Sequence, residues 1–120
     1  MITHPTSDEL LTAVAGFIER IAPQLQDRDV FLARVAVNAL GVVRREMQAG
    51  PAAEAAATER LQALLGQPGD YAVLNEALGA AIQAGAFDQD EAALLAHLKA
   101  SAIDQVRIDQ PGYSGLKAAV

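Results

Sequence analysis

A line of polar side chains runs along the second of the helices that the sequence predicts. Arg34, Asn38, Gly41 and Arg45 are spaced at i, i+4, i+7 and i+11, which places them on one side of a helix. A guanidinium binds carboxylate or phosphate through a planar fork, and a glycine lets another backbone approach closely. One interpretation of this polar seam is therefore that it faces a partner protein or an anionic ligand.

A structural role is the alternative interpretation of the polar seam. The seam is then the solvent-exposed edge of its helix, or Arg34 and Asn38 are satisfied inside the protein. Asp104, on the last predicted helix, is the candidate partner of Arg34, because a buried guanidinium is tolerated only when it is paired and hydrogen-bonded.

Two further groups of polar residues lie at predicted helix ends. Arg45 and Glu46 close the second helix, where a cation faces the negative end of the helix dipole; a functional role is the alternative. Asp109 precedes the turn at Pro111, an arrangement that ends helices. Tyr113 follows this turn, and an exposed tyrosine there would also suit an interface, because tyrosine buries a large area at small entropic cost.

The remaining combinations of polar residues do not support catalysis. His97, Ser101 and Asp104 follow one face of a helix, where they cannot converge on one nucleophile, so a solvated polar face is expected. The acidic run 88–91 lacks the glycine and the distal glutamate of a calcium loop. With no cysteine and two separate histidines, the sequence predicts no catalytic residue, no metal site and no cofactor.

Composition narrows the class of protein. The chain has 120 residues, of which 52% are hydrophobic and 4% aromatic, with a net charge of −6. This length predicts a single domain over residues 1–120 that needs no disulfide, with flexible ends at 1–6 and 114–120. The acidic charge argues against nucleic-acid binding. Since no segment reads as a signal peptide or a membrane span, we expect no membrane association and a cytoplasmic location.

Abundant alanine and leucine, with few β-branched runs, predict an all-α protein: a compact bundle of about five helices with a long central second helix. Capping boxes and Gly–Pro punctuation set the expected bounds. The helices are predicted from the Thr6–Glu9 box to Pro23, from Asp27 to Gly50, from Pro51 to Gly66, from Asp70 to Gly85, and from the Asp88–Glu91 box to Asp109.

Apolar spacing predicts which helix faces are buried. The first helix carries one stripe at helical spacing, and the fifth carries another. The third helix is expected to bury Leu61, Leu64 and Leu65, whereas the alanine run before them has little to bury, so we expect this helix to be the least firmly docked. The stripe residues are Leu10, Val14, Phe17, Ile18 and Ile21 on the first helix, and Leu94, Leu95, Leu98, Ala102 and Val106 on the fifth.

These patterns resemble a small bacterial all-helical family catalogued as a domain of unknown function. The resemblance extends from Glu9 to Tyr113. It is carried by Phe31-x-x-Arg34-Val35-Ala36-x-Asn38-Ala39-Leu40, Val43-x-Arg45-Glu46-x-x-x-Gly50-Pro51, Leu74-Asn75-Glu76-x-Leu78, Leu94-Leu95-x-His97-Leu98 and Asp104-x-x-x-x-Asp109-x-Pro111-x-Tyr113. The family's recurring polar positions match Arg34, Asn38, Arg45, Glu46, Asp104, Asp109 and Tyr113.

The resemblance implies a biological context for the chain. Proteins of this kind accompany an aminoglycoside-phosphotransferase-like kinase and an acyl-CoA dehydrogenase in acyl-CoA or hydroxy-acid catabolism, and similar small proteins are accessory subunits of a kinase that phosphorylates hydroxyacyl-CoA. The leading hypothesis is therefore a non-catalytic accessory subunit of such a kinase. The alternatives are a helical protein that binds phosphate, carboxylate or CoA, and a self-associating bundle without a ligand, so a homo-oligomer is left open.

Overall fold

The structure is a computed structural model that describes residues 3–120, and every regular element in that range is a helix. The all-α class and the long second helix are therefore confirmed. The predicted flexible end at 1–6 lies partly outside the described residues. The helices are α1 (Ser7–Ile21), α2 (Asp27–Leu65), α3 (Tyr71–Gln83), α4 (Ala92–Asp109) and α5 (Ser114–Ala119), with a 3-10 turn at Ala22–Gln24 after α1.

Helix α1 begins at the predicted cap. The Thr6 hydroxyl accepts a hydrogen bond from the Glu9 backbone N–H at 3.1 Å, as the first half of a capping box requires. The Glu9 carboxylate hydrogen-bonds with His4 Nδ1 at 3.0 Å. Pro23 lies in the 3-10 turn that follows the helix, so the predicted end of α1 is also confirmed.

The predicted break at Gly50 and Pro51 is wrong, because α2 continues through both residues for 39 residues in all. The second and third predicted helices are thus one helix. A proline ring normally clashes with the Cβ of the residue before it, and Gly50 has no Cβ. The alanine-rich segment after Pro51 also has the highest helix propensity in the chain, which offsets the hydrogen bond that proline cannot donate.

Helix α3 begins as predicted, with the Asp70 carboxylate accepting from the Val73 N–H at 2.9 Å. The capping box predicted at Asp88 is wrong, since α4 begins at Ala92 after turns. Asp88 instead folds back on the preceding turn, where its N–H donates to the Gly85 carbonyl at 3.2 Å. Gly85 has φ +81°, in the left-handed region that glycine tolerates.

The chain divides into two compact units, unit 1 (residues 1–48) and unit 2 (residues 49–120). Unit 2 has a leucine core formed by Leu61, Leu74, Leu78 and Leu94. Leu61 is fully buried, and Ala57 is 5% exposed. Leu61 is thus buried as predicted. In the alanine run before it, residues 52–57, Ala57 is the only buried residue, as expected of a segment with little to bury.

Unit 1 consists of α1, the 3-10 turn and the first half of α2. Among its described residues, Ala33 is the only one that is buried, at 7% exposure. Helix α1 has no buried residue at all. This unit therefore leaves much of its apolar surface in contact with solvent, in contrast to the leucine core of unit 2.

Candidate functional site

One apolar stripe of α1 is exposed. Leu10, Val14 and Phe17 are spaced at i, i+4 and i+7 and are 53%, 49% and 51% exposed. We call these three residues the α1 stripe. Of the residues predicted to face inward, only Ile18 and Ile21 are half-buried, so the inward prediction is wrong for the α1 stripe. Contiguous exposed apolar residues of this kind mark interaction surfaces more often than isolated ones do.

A second exposed stripe lies on α2. Leu32, Val35, Ala39, Val43 and Met47 recur every three or four residues, and all five are exposed. We call them the α2 stripe. This side of the second helix, which the sequence predicts to be central, is therefore exposed to solvent.

An ion pair joins α1 to α2 within unit 1. The Arg44 guanidinium donates to both carboxylate oxygens of Asp8, at 2.8 and 3.4 Å, and Gln48 Nε2 donates to the same carboxylate at 3.0 Å. The hydrogen bond from Arg44 lowers the pKa of Asp8 below its ordinary value, and the same bond raises the pKa of Arg44. Both side chains are more than a third exposed, so the pair positions the helices more than it stabilises them.

An open cleft of about 180 Å³ lies between α1 and α2, and two residues of the polar seam line it. Arg34 and Asn38 are both exposed and form part of its wall, together with Glu19. The rest of the wall is apolar and consists of Ile18, Ala22, Ala33 and Val37. The cleft thus combines an apolar surface with one cationic, one amide and one carboxylate side chain, a donor and acceptor set that can orient a small ligand.

The other predicted residues of α2 lie outside the cleft wall. Arg45 is half-buried and folds over Gly41, where its Nη1 is 3.1 Å from the position that a Cβ would occupy. The Arg45 side chain therefore covers Gly41 and occupies the space in which another backbone could have approached it. Glu46 is exposed. Since α2 continues to Leu65, neither Arg45 nor Glu46 is near a helix end, and the explanation by the helix dipole is wrong.

Unit 2 contains a partly buried polar cluster that the sequence did not predict. The guanidinium of Arg60 donates from Nε to His97 Nδ1 at 3.0 Å and from Nη2 to Ser101 Oγ at 3.2 Å. His97 is 3% exposed, so the expected solvated face at His97 and Ser101 is wrong. Burial, and then the positive charge of Arg60, lower the pKa of His97. Because Nδ1 accepts the hydrogen bond from Arg60, the neutral form of His97 carries its proton on Nε2, which suits a structural role.

The predicted residues of the C-terminal segment are spread along α4 and the turn after it. Asp104 is half-buried in unit 2, whereas Arg34 belongs to unit 1, and their pairing stays a prediction. Asp109 is exposed and accepts from Gln105 Nε2 at 3.0 Å. Tyr113 is 54% exposed, and its ring lies against Gly115, whose added Cβ would come within 2.6 Å of the ring.

Sequence reasoning missed the two groups of long-range hydrogen bonds. Their partners are 36 to 41 residues apart in the chain, so no local spacing reveals them. The sequence did contain one indication that His97 is buried, because His97 lies on the same side of α4 as the buried residues Leu94 and Ile108. A polar residue on such a face requires a partner, and Arg60 supplies it.

Residues 3–120 contain neither a metal-binding cluster nor a helix that could span a membrane. No group of three or more His, Cys, Asp or Glu side chains in residues 3–120 is arranged to hold a metal ion. Within the same range, no helix has both the length and the apolar character needed to cross a membrane.

Comparison with known proteins places this all-α chain in a family. The profile described as Domain of unknown function (DUF6285) matches residues 23–113. The chain therefore belongs to this family, which confirms the resemblance to a family of unknown function over residues 23–113. Residues 9–22, which the resemblance also included, lie outside the match. The match covers most of the chain and includes Arg34, Asn38 and Tyr113. No curated protein and no solved structure matches the chain.

Proposed function

We propose that this protein is a non-catalytic accessory subunit that binds and supports an aminoglycoside-phosphotransferase-like kinase in acyl-CoA or hydroxy-acid catabolism. The kinase as partner comes from the family resemblance of the sequence. The observation that carries the binding role is α1, an amphipathic helix with no buried residue and three large apolar side chains about half exposed. A cytoplasmic location is part of the same proposal and follows from the partner that it names.

The α1 stripe has the chemistry of a protein-binding surface. Its three side chains lie on successive turns, so a groove on the partner can cover them together, as grooves cover the i, i+4 and i+7 anchors of other amphipathic helices. Phe17 is the strongest anchor because aromatic residues contribute more to interfaces than aliphatic ones. Arg20 lies 5.5 Å from the centre of the Phe17 ring and adds a positive charge at the edge of the stripe.

Co-purification with the kinase of the same organism tests this proposal. We expect the wild-type chain to retain the kinase and the Phe17→Ser variant to lose it. Val73→Ser is the matched control, because Val73 is also an exposed apolar residue on a helix, at 58% exposure, but lies in unit 2. Kinase activity should rise when the wild-type chain is added and should not rise with Phe17→Ser. Kinase that neither binds the chain nor responds to it contradicts the proposal.

The cleft beside Arg34 and Asn38 favours a second candidate function, the binding of a small anion such as phosphate, a carboxylate or the CoA group. Arg34 would bind the anionic group and the apolar wall would cover the attached chain. Thermal denaturation with phosphate, acetate and CoA tests this candidate, because a ligand at 100 times its dissociation constant adds about 2.7 kcal/mol of stability. The shift should disappear in Arg34→Gln, and its persistence there would place the ligand elsewhere.

A further inference from the structure

We infer that the α2 stripe binds a second copy of this chain, with the two α2 helices antiparallel and related by a two-fold axis. This inference concerns α2 and the chain alone, so it does not depend on the kinase proposal. Leu32, Val35, Ala39, Val43 and Met47 form one apolar surface that is exposed in the single chain. A two-fold contact uses the same surface on both copies, so the surface must be complementary to itself.

Opposite charges near the two ends of the α2 stripe make this surface complementary to itself. Arg28 precedes Leu32 by one turn, and Glu46 follows Val43 by three residues; both side chains are exposed. Arg28 and Glu46 are 18 residues apart, which is five full turns or about 27 Å, so they lie on the same side of α2. An antiparallel copy therefore brings each Arg28 beside the partner's Glu46, at both ends of the contact.

The sizes of the apolar side chains also fit an antiparallel pair in which residue 28 faces residue 46. A two-fold axis at the level of residue 37 places residue 28 opposite residue 46, and it also places Val35 opposite Ala39. A larger side chain then faces a small one twice near the centre, which lets the helices approach closely. In a parallel pair, by contrast, Arg28 would face Arg28.

Sedimentation equilibrium of the full-length chain alone tests the inference. We expect a dimer at micromolar concentration. In Val43→Glu, two carboxylates enter the apolar contact, and we expect the dimer dissociation constant to rise about 100-fold or more. Val73→Glu makes the same change in charge on an exposed valine of α3 and should match wild type. A monomeric wild-type chain, or a Val43→Glu dimer as tight as wild type, overturns the inference.

Charge reversal tests the antiparallel register. Arg28→Glu and Glu46→Arg should each weaken the dimer about tenfold, because each puts like charges together at both ends. The double variant R28E/E46R should restore the wild-type dissociation constant, since opposite charges face each other again. Two single losses that simply add in the double variant overturn the antiparallel pairing. Circular dichroism of every variant shows whether the helices remain folded.

An alternative occupant of the α2 stripe would give a different result. If the kinase covers this stripe, the chain alone is monomeric and Val43→Glu loses the kinase in co-purification; that outcome overturns self-pairing and supports the accessory role. If the chain alone is a dimer and the kinase does not bind, self-pairing is supported and the accessory role fails. The experiments therefore distinguish a failure of self-pairing from a failure of the kinase proposal.

Discussion

His97 is a polar residue that is almost fully buried. It lies in the interior of unit 2 and accepts a hydrogen bond from the Arg60 guanidinium at 3.0 Å. Protonation of Nδ1 would remove this acceptor and place a second positive charge beside Arg60. The hydrogen bond from Arg60 to His97 therefore adds to the packing of α2 against α4 only while His97 is neutral, which links the stability of unit 2 to pH.

This link predicts a loss of stability in mild acid. The pKa of folded His97 is below its unfolded value of about 6.5, so the unfolded chain binds more protons as the pH falls. The contribution is fully present above the unfolded pKa and is lost as the pH falls from there through the folded pKa. Urea denaturation between pH 8 and pH 5 should show the free energy of unfolding falling below about pH 6.5.

The His97→Gln variant is the control for this pH dependence, because glutamine accepts a hydrogen bond without titrating. We expect its free energy of unfolding to change less than that of wild type over this pH range. Asp8 does not interfere, since its lowered pKa confines its own effect to pH values below about 3.9. A variant with the same pH profile as wild type would show that another group is responsible.

At the scale of the element, α2 shows how much of the fold the sequence could predict. The spacing of leucine and alanine predicted helices in nearly every segment that is helical, and Thr6 and Asp70 marked two helix starts correctly. Gly50 and Pro51 were misleading, because a Gly–Pro pair occurs in two situations. It can end a helix, or it can lie inside one where the glycine removes the clash between the proline ring and a preceding Cβ. Local residue types do not distinguish these two cases.

The candidate site was less predictable than the helices. Arg34 and Asn38 were singled out by spacing, and both line the cleft of unit 1. The exposure of the α1 stripe could not be predicted, because an apolar stripe indicates that a face is suited to burial but does not say what covers it. Likewise, Arg60 and His97 are far apart in the chain, and only the packed fold brings them together.

The continuity of α2 predicts that Pro51→Ala stabilises the protein. Alanine restores a donor inside the helix and removes the clash of the ring with the carbonyl of Met47, so we expect a gain of up to about 3 kcal/mol in the free energy of unfolding. Urea denaturation measures it. Pro23→Ala is the control, because Pro23 lies in a 3-10 turn and its replacement should give no gain. No gain in Pro51→Ala would indicate that a helix begins at this residue.

Replacing two glycines by alanine should change the free energy of unfolding in opposite directions, because Gly85 lies in the turn after α3 and Gly79 lies inside this helix. Gly85 has φ +81°, and an added Cβ would be 2.9 Å from the Asp88 carboxylate, so Gly85→Ala should cost about 1–2 kcal/mol. Gly79 lies inside α3 with no atom within 4 Å of the added Cβ, so Gly79→Ala should gain about 0.5–1 kcal/mol. Thermal denaturation of both variants measures the two effects. Equal effects at the two positions would contradict this description of the turn.

The two units of the chain differ in what they bury. Unit 2 encloses a core of four leucines and a hydrogen-bonded cluster around the buried His97, whereas unit 1 buries only Ala33 among its described residues. Two stripes of unit 1 remain exposed, one on α1 and one on α2. We propose that the first stripe binds a kinase and infer that the second binds another copy of the chain, so that unit 1 serves association and unit 2 supplies a stable core.

Isothermal titration of the purified chain into the aminoglycoside-phosphotransferase-like kinase of the same organism, at several temperatures, measures the proposed binding itself. We expect saturable binding with a negative heat-capacity change, because binding covers apolar surface. Phe17→Ser should weaken this binding about tenfold or more, and Val73→Ser should leave it unchanged. An absence of binding, or equal affinity of wild type and Phe17→Ser, would show that the α1 stripe does not bind the kinase.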